Sequence, residues 1–485
     1  MNRRILLRKS AILAIAPAAI AGIGRSGALL LSAESAPVFD PRSRGARGDG
    51  RSNDRRAIQE TIDECHKRGG GTVTLSPGNY LTGTIVLKSN VILYLSAGAT
   101  LLGSTQMSDY LGQEGKEGEK HYSLVFARSE DHVGIAGPGT IDGQGQAFWT
   151  RSNREPARPD QLWADVVTKD WKPLSRPSPM VDLVECNNTD IRDITLMNSG
   201  GRTFRHVNCK LVAIRGIKIR NPIYGPNVDG IDIACCQNVT VSDCDIATAD
   251  DAICLKSENP FGEPSVTRNV TVDRCTVTGC CNGLKIGTET RSGFENIVFS
   301  NCIIHNDDVP LNQRIISGIA IEMVDGGWID GVNVSGIQMQ RARAPIFVRR
   351  GNRNPRADGN AGPLKNVTIS GVQATGSIIA SSITGLPGLP VEEISLSDVH
   401  VENVESGKSD WVSRPIPEQT EKYPEAKMFG RLPAYGLYCR HVNGIRLNNV
   451  SFTGARGEKR PGLVFDDVTG SQTTGVRLDP DNRIR

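Results

Sequence analysis

A short motif that recurs along the chain constrains the fold more than any other feature of the sequence. Each copy is a β-branched alternation interrupted by Asp, Asn, Gly or Ser, which predicts a strand, a bend and a second strand. Copies begin at Ile191, Ile214, Asn238, Asn269, Asn296, Gly331, Asn366, Glu393 and Gly444. Three copies place a cysteine at one position, Cys244, Cys275 and Cys302, with steps of 31 and 27 residues. The chain is therefore built from repeated strand-forming units.

A period of roughly 20–50 residues made of short strands is typical of a parallel β-solenoid, in which a coil buries its inner face only by stacking on its neighbours. A sandwich or a propeller would need Asn-Gly or Asp-Gly hairpin turns between adjacent strands, and these are sparse. The 52 glycines among 485 residues and the 5% of aromatics also disfavour a helical bundle. We predict an all-β protein, a parallel β-helix.

One short helix is expected at the amino-terminal end of this solenoid. Over Arg55–Lys67 the apolar residues Ile58, Ile62 and Cys65 recur at helical spacing. A capped end prevents association between exposed strand edges. We predict one β-helix domain over residues 37–485, with loop insertions near 146–178 and 405–435.

Residues 1–36 are predicted to be a cleaved export signal. They combine a basic start, an apolar run from Ala11 to Ile23 and small residues. Arg3-Arg4 resembles a twin-arginine signal, and a Sec signal is the alternative. A membrane anchor is disfavoured because the run is shorter than the ~20 residues that span a bilayer. We expect a periplasmic or secreted monomer with no membrane association after cleavage.

The charge distribution excludes nucleic acid as a partner. The formal net charge is +3, but the first 35 residues contribute +4, so the remainder is close to neutral. Binding to nucleic acid would need a basic face. The twelve cysteines allow a disulfide framework, although stacked cysteines explain the repeat without bonds. Because the adjacent pairs Cys235-Cys236 and Cys280-Cys281 lack zinc-finger spacing, no metal site is predicted.

A second set of strands predicts the functional face. The aligned segments are Ile231–Ile233, Ile253–Leu255, Leu284–Ile286, Ile319–Ile321 and Ile346–Val348. Stacking them places one residue of each coil in a single row: Asp229, Asp251, Asn282, Ser317 and Ala344. Neighbouring coils lie about 5 Å apart, so Asp229 and Asp251 should be close, with Asp250 beside them. A hydrophobic core has no need for such a cluster.

Clustered carboxylates fit three kinds of function. Like charges at short range raise the proton affinity of one carboxyl and leave an acid beside a base, as glycoside hydrolysis requires. Three carboxylates could instead hold calcium in a polysaccharide lyase. Asp-Asp is also a common bend motif, so the pair could be structural. The third hypothesis is a non-catalytic carbohydrate-binding solenoid, which the two departures described below leave open.

At these residues the chain resembles glycoside hydrolase family 28, the polygalacturonase family. The matching segments are residues 45–65 (GARGDGRSNDRRAIQETIDEC), 69–104, 137–145 (GPGTIDGQG), 227–230 (NVDG), 249–257 (ADDAICLKS) and 282–289 (NGLKIGTE). The resemblance implies a right-handed β-helix and an inverting hydrolase of pectin-type glycans, without cofactor or metal. It also implies that Asp250 is the general acid and that Asp229 and Asp251 activate water.

Two departures from the family pattern concern substrate binding. Asn282 stands where the family has a histidine, and Ala320-Ile321-Glu322 replaces its R-I-K triplet, so the usual lysine contact to a uronate carboxylate is missing. We predict either a subsite for an uncharged or differently placed sugar, in which Glu322 accepts hydrogen bonds from sugar hydroxyls, or a surface charge network. The predicted substrate-binding residues are Asn282, Lys285, Lys256, Glu322 and Arg349.

Loop residues are further candidates for contact with a sugar. Trp149, Trp163 and Trp171 lie in the first insertion and either stack on sugar faces or pack the loop against the coils. Arg350, Asn352 and Arg353 could add contacts from a second loop. The 405–435 insertion is another candidate wall.

Overall fold

Three parallel ladders of strands wind along the chain and form a right-handed parallel β-helix, as predicted. The computed structural model describes residues 37–156, 165–356 and 361–480. The predicted export signal therefore lies outside the described residues. Of the strands in the described part, 35 belong to one sheet. The strands of each coil pair with those of the coils before and after it on three faces, and in the later coils one long strand continues from face to face.

The first face carries the repeated motif of the sequence. Its strands are Val38–Phe39, Gly71–Leu75, Val91–Leu95, Gly134–Ala136, Asn187–Arg192, Lys210–Arg215, Gln237–Ser242, Thr267–Asp273, Gly293–Ser300, Trp328–Gln340, Leu364–Ser377, Val391–Asn403, Leu437–Thr453 and Gln472–Thr474. The second face follows after one bend. Its strands are Asp49–Asn53, Gly78–Thr82, Ala99–Gly103, Thr140–Asp142, Thr195–Met197, Lys218–Arg220, Asp245–Ala247, Thr276–Thr278, Ile303–His305, the ends of the four long strands above, and Arg477–Asp479.

The third face carries the predicted row of carboxylates. Its strands are Ile85–Val86, Val125–Arg128, Val181–Val184, Phe204–Val207, Ile231–Ala234, Ile253–Lys256, Asn282–Ile286, Ser317–Met323, Ala344–Arg350, Ser381–Thr384, the start of Leu437–Thr453, and Leu463–Thr469. Two antiparallel pairs lie outside the coils: Gly112–Glu114 with Lys120–Tyr122, and Trp149–Arg151 with Trp171–Pro173.

The helix α1 spans Arg55–Lys67, the range predicted from sequence. Its buried side Ala57, Ile58, Ile62 and Cys65 packs on the first coils, which covers the amino-terminal opening. The remaining helical segments are 3-10 turns: Pro41–Arg44, Met107–Asp109, Lys116–Gly118, Gly145–Phe148, Val167–Asp170, Leu311–Gln313 and Ser409–Trp411. No helix in the described ranges is long and apolar enough to cross a bilayer.

Ladders of like side chains run along the coil axis. Asn269 donates from Nδ2 to Asn238 Oδ1 at 2.9 Å, and Asn296 donates to Asn269 at 3.1 Å. These asparagines have φ of 55–58°, the left-handed region that asparagine tolerates better than most residues. The next coil places Gly331 at the same position, with φ of 83°. Local hydrogen bonds and backbone preference therefore mark the same bend in successive coils.

The cysteines stack without forming bonds. All twelve lie in the described part of the chain, and there each is a free thiol. Cys244, Cys275 and Cys302 occupy one column, as the repeat predicts. A second column, which the repeat alignment missed, contains Cys186, Cys209 and Cys236, in which backbone N–H groups donate to the next sulfur at 3.3 Å. The disulfide alternative is not what the structure contains.

Both sides of the third face are buried over much of its length. Ile231 and Ile233 point into the coil, whereas Asp232 points outward yet has no exposed surface. The outer side is covered because segments 166–167 and 426–434 form an apolar cluster over it with Phe347 and Tyr438. Polar side chains on this outer side are thus removed from bulk water without entering the core.

Candidate active site

The predicted alignment of the third face is confirmed by its strand register. Ile231 pairs with Ile253, Ile253 with Leu284, Leu284 with Ile319, and Ile319 with Ile346. Across the bend, the Gly230 N–H donates to the Asp251 carbonyl at 2.8 Å, and the Ala252 N–H donates to the Asn282 carbonyl at 2.8 Å. The coils thus bring Asp229, Asp251 and Asn282 into one row.

A cavity of about 520 Å³ opens over this row. Its walls come from the coils, from turns after the strands and from both insertions. The lining residues are Val166, Thr168, Lys169, Arg202, Asn227, Asp229, Asp250, Asp251, Lys256, Cys281, Lys285, Gly287, Thr288, Glu289, Arg353, Tyr423 and Glu425. The three predicted catalytic aspartates share this cavity with five cationic side chains.

Asp250 and Asp251 are sequence neighbours with opposite protonation tendencies. Burial of Asp250, together with the negative charges of Asp229 and Asp251, raises its pKa to about 7. Burial also disfavours the charged form of Asp251, but Lys285 at 2.9 Å and the Asn282 amide at 2.7 Å outweigh it and lower its pKa. Below neutral pH, one carboxyl therefore holds a proton beside an ionised neighbour.

Asp229 belongs to a second charged cluster at the other side of the cavity. Lys256 Nζ lies 3.4 Å from Asp229 Oδ2, 3.4 Å from Asp232 Oδ2 and 3.3 Å from Glu289 Oε1. Arg202 bridges Asp232 at 3.1 Å and Glu289 at 3.0 Å. Burial raises the pKa of Asp232 to about 7, whereas Lys256 and Arg202 lower the pKa of the partly buried Glu289 to about 2.

Lys285 is held between two carboxylates and an aromatic ring. Its Nζ lies 2.9 Å from Asp251 Oδ2, 3.2 Å from Glu322 Oε2 and 3.3 Å from the Tyr423 hydroxyl. Burial raises the pKa of Glu322 to about 7 despite this contact. The acidic pair raises the pKa of Lys285 well above its ordinary value, against the effect of burial. The ammonium therefore stays charged at the base of the cavity.

Three of the predicted substrate-binding residues lie behind the cavity surface. Asn282 is buried and donates to Asp251, and Glu322 has no exposed surface and faces Lys285. Arg349 is also buried, and it donates to the carbonyls of Gly385 at 2.8 Å and Glu418 at 2.6 Å. The expectation that Glu322 accepts bonds from sugar hydroxyls does not fit this geometry, because Lys285 on the adjacent coil lies beside its carboxylate.

The aromatic residues of the first insertion pack against the protein. The Trp149 indole donates to the Gly200 carbonyl at 2.7 Å, and Trp171 stacks on Tyr224 with ring centroids 5.1 Å apart. Both tryptophans therefore follow the packing alternative, and Trp163 lies outside the described residues. The second insertion does form a wall, because Tyr423 and Glu425 line the cavity.

The loop after Arg349 contributes one side chain to the cavity. Arg353 lines it and donates two hydrogen bonds to Asp325, at 2.9 and 2.7 Å. Arg350 instead donates to the carbonyls of Gly362 and Pro390. Asn352 forms a backbone hydrogen bond to the Thr420 carbonyl at 3.0 Å, which ties the two loops together.

Within the described ranges, one group of side chains could approach a metal ion. Asp250, Asp251 and Cys281 have ligand atoms within 4.8 Å of one another. Calcium takes six to eight oxygen ligands, and a thiol does not supply one. Moreover, the Lys256 and Lys285 ammonium groups already lie against Asp229 and Asp251. The donor set therefore fits calcium poorly.

The cavity residues that were not singled out from the sequence include Arg202, Glu289, Tyr423 and Glu425. Arg202 and Glu289 come from irregular turns, and no periodic pattern marks them. Asp232, just behind the cavity, carried a signal that could have found it. A carboxylate between Ile231 and Ile233 in a strand buried on both sides requires a cationic partner, and Lys256 is that partner.

Comparison with solved structures shows that the coil architecture is shared with known enzymes. An exopolygalacturonase from Thermotoga maritima aligns with a TM-score of 0.59 and 22% identity over 76% of this chain and 87% of that one. A family 28 exopolygalacturonase from Yersinia enterocolitica aligns with a TM-score of 0.58 and 20% identity over 93% and 79%. These similarities establish the fold as the right-handed β-helix of that class.

The sequence comparisons establish the family. The model of glycosyl hydrolases family 28 matches residues 65–420, so the chain belongs to that family and is a glycoside hydrolase. A probable polygalacturonase of Vitis vinifera is 26% identical over 432 residues, which cover 81% of this chain and 82% of the relative. An endo-polygalacturonase of Pectobacterium parmentieri is 26% identical over 303 residues, covering 60% and 70%.

Proposed function

We propose that the protein hydrolyses glycosidic bonds of a pectin-type polysaccharide or oligosaccharide with inversion at the anomeric carbon. The relatives named polygalacturonases support the substrate class. The observation that carries the mechanism is the contrast between Asp250, whose pKa is raised to about 7, and Asp251, whose pKa is lowered. Paired carboxyl groups with separated pKa values are the requirement for acid and base to act together.

In the proposed reaction Asp250 is the general acid. Its proton passes to the glycosidic oxygen as the bond from that oxygen to the anomeric carbon breaks. Asp229 or Asp251, both lining the same cavity, accepts a proton from water, whose oxygen forms the new bond to the same carbon from the opposite face. Asp250 ends as a carboxylate and the base as a carboxylic acid, so one proton transfer through solvent restores the starting state.

Substrate carboxylates would meet cations that do not come from the missing R-I-K triplet. Lys256 and Lys285 line the cavity and remain candidates for direct contact. Arg202 has 30% of its side chain exposed, against 6% for Lys256 and 1% for Lys285, so it is more accessible to a uronate than either lysine. We propose that Asn282, Glu322 and Arg349 act behind this surface, by positioning Asp251, Lys285 and the second insertion respectively.

The decisive experiment is product analysis with the mature protein on a panel of pectic polysaccharides and oligosaccharides. Reducing ends and the ultraviolet absorbance of unsaturated products are followed together, with and without a calcium chelator. Hydrolysis yields reducing ends without that absorbance and is indifferent to the chelator. Unsaturated products lost on chelation would establish a lyase instead, and binding without release from any glycan would establish a carbohydrate-binding solenoid.

A further inference from the structure

A second cavity lies next to the candidate active site. Its volume is about 580 Å³, and it is lined mainly by residues 414–430 of the second insertion. Tyr423 and Glu425 line both cavities, so they form the boundary between them. A molecule that leaves the first cavity over this boundary enters the second.

The boundary presents a fixed aromatic ring. Tyr423 is 48% exposed, although its hydroxyl accepts a hydrogen bond from Lys285 and its ring lies 5.4 Å from the Arg353 guanidinium carbon. Aromatic rings offer an apolar face together with a polar edge, which suits the face of a pyranose ring. Because two cations already hold Tyr423, little side-chain freedom is lost when a ligand stacks on it.

The insertion that carries this ring is anchored at several points. Arg349 donates to the Glu418 carbonyl at 2.6 Å, and Arg440 donates to the Ile416 carbonyl at 2.5 Å. Lys427 joins the two insertions through Asp165 at 2.7 Å. These bonds give the second cavity a defined shape before any ligand binds, as is usual for binding sites for small molecules.

The charges in the second cavity favour an anionic ligand. Lys427 contacts both acidic residues of the lining, Asp165 at 2.7 Å and Glu425 at 3.4 Å. Arg414 and Lys422 are exposed, and in the described part of the chain neither has a carboxylate within ion-pair distance. Two unpaired cations thus face a cavity whose acids are already neutralised, which is an arrangement for binding a carboxylate.

We propose that the second cavity is a sugar-binding subsite for an acidic glycan. One sugar of the chain stacks on Tyr423, and the carboxylate of a sugar beyond it binds Arg414 and Lys422. This inference rests on the proposed function for the substrate class, and it adds that at least two sugars on this side of the scissile bond contribute to affinity.

The test measures binding of hexagalacturonate by isothermal titration calorimetry to Asp250→Asn protein, in which turnover should be greatly slowed. Replacing Arg414 and Lys422 by Ala should weaken binding roughly five- to tenfold, and added salt should reduce the difference. Lys210→Ala, which changes an exposed lysine on the first face, is the matched control and should have no effect. Tyr423→Leu should weaken binding, whereas Tyr423→Phe, which keeps the ring, should largely preserve it.

Length dependence of turnover separates this proposal from the proposed function. On otherwise unchanged protein, the Arg414→Ala, Lys422→Ala double variant should raise KM for the hexamer and leave the shortest cleaved oligomer unaffected. Equal effects on all lengths, unchanged hexamer affinity in the double variant, or no hexamer binding by the parent would overturn the subsite. Hexamer binding that depends on these cations without cleavage of any oligomer would keep the subsite and refute the hydrolase.

Discussion

Lys285 and Glu322 lie on adjacent coils with Nζ and Oε2 3.2 Å apart, and both side chains are buried. The register explains the contact, since Lys285 pairs with Ala320 and Glu322 projects from the same side two residues further on. The same ammonium contacts Asp251 at 2.9 Å. Glu322, which stands where the R-I-K triplet of the family has its lysine, is thus paired with the Lys285 ammonium group directly beneath the carboxylate of Asp251.

Removing one member of this pair should cost stability. Lys285→Met leaves the Glu322 carboxylate buried without a cation, and breaking such a pair typically costs about 3–5 kcal/mol. The double variant Lys285→Met, Glu322→Met should recover the part of that loss that is due to Glu322, whereas Asp251 still lacks its cation. Urea denaturation of the two single variants, the double variant and the exposed control Lys422→Met measures the coupling. A double variant as unstable as the sum of the single variants would contradict the pairing.

The penalty for Lys285→Met should depend on pH. Without Lys285 the folded-state pKa of Glu322 rises further above its unfolded value of 4.5, from the value of about 7 that it has now. A group whose folded pKa is raised favours folding when protonated. The variant should therefore lose stability, relative to the parent, as pH rises from about 7 to 9, where Glu322 of the parent ionises. An equal loss of stability of Lys285→Met at both ends of this pH range would rule out ionisation of Glu322.

The pH dependence of activity follows from the two adjacent aspartates. Activity should fall as pH rises through about 7, where Asp250 loses its proton, and should fall again below the ordinary carboxyl pKa of 3.8, where Asp251 becomes protonated. Lys285 lowers both pKa values, so Lys285→Met should move both limbs to higher pH. A profile of kcat/KM with its alkaline limb below pH 5 would exclude Asp250 as the acid.

Loss of the acid itself should reduce turnover far more than binding. Asp250→Asn is nearly isosteric and cannot donate the proton, so kcat should drop by about 10²–10⁴-fold with little change in KM. Asp307→Asn, at an 89% exposed carboxylate on the same solenoid, serves as the control and should retain full activity. Similar kcat values for both variants would remove Asp250 from the mechanism.

The asparagine ladder should contribute measurably to stability. Asn269 has φ of 56° and bonds to the asparagines of both neighbouring coils. Asn269→Ala removes both contacts and puts alanine in the left-handed region, which together should cost roughly 1–3 kcal/mol. Asn269→Gly keeps the backbone conformation and should cost less. Thermal unfolding of both variants tests this order, and the reverse order would mean that backbone preference contributes little.

Thiol reactivity should distinguish one cysteine from the others. Eleven of the twelve free cysteines are buried, and Cys281 is partly exposed in the cavity. Burial raises the pKa of Cys281 well above its ordinary value, so even this thiol should react slowly near neutral pH. Titration with a thiol reagent should detect at most one slow group in the native protein and twelve after unfolding. Fewer than twelve would indicate disulfides.

The sequence predicted the coils and their register because stacking depends on the short distance in sequence between each polar bend and the strand that follows it. Ile231, Ile253 and Leu284 follow their polar bends at the same offset, and identical offsets stack on one another in a solenoid. Arg202 and Glu289 could not be found in this way, because their side chains project from irregular turns whose paths depend on neighbouring coils. Whether Trp149 and Trp171 face a ligand or the protein also depended on loop paths that no periodicity encodes.

The positions at which the two insertions leave the solenoid limit how chain length can vary among related proteins. Asp165 precedes the coils that carry the aspartates, Lys427 follows them, and the two meet at 2.7 Å. Adding or deleting a coil between them would move one wall by a strand spacing of about 4.8 Å and break that contact. Because a coil contacts only its neighbours, whole coils can be gained or lost near the two ends. Insertions and deletions of coil length should therefore concentrate before residue 120 and after residue 440.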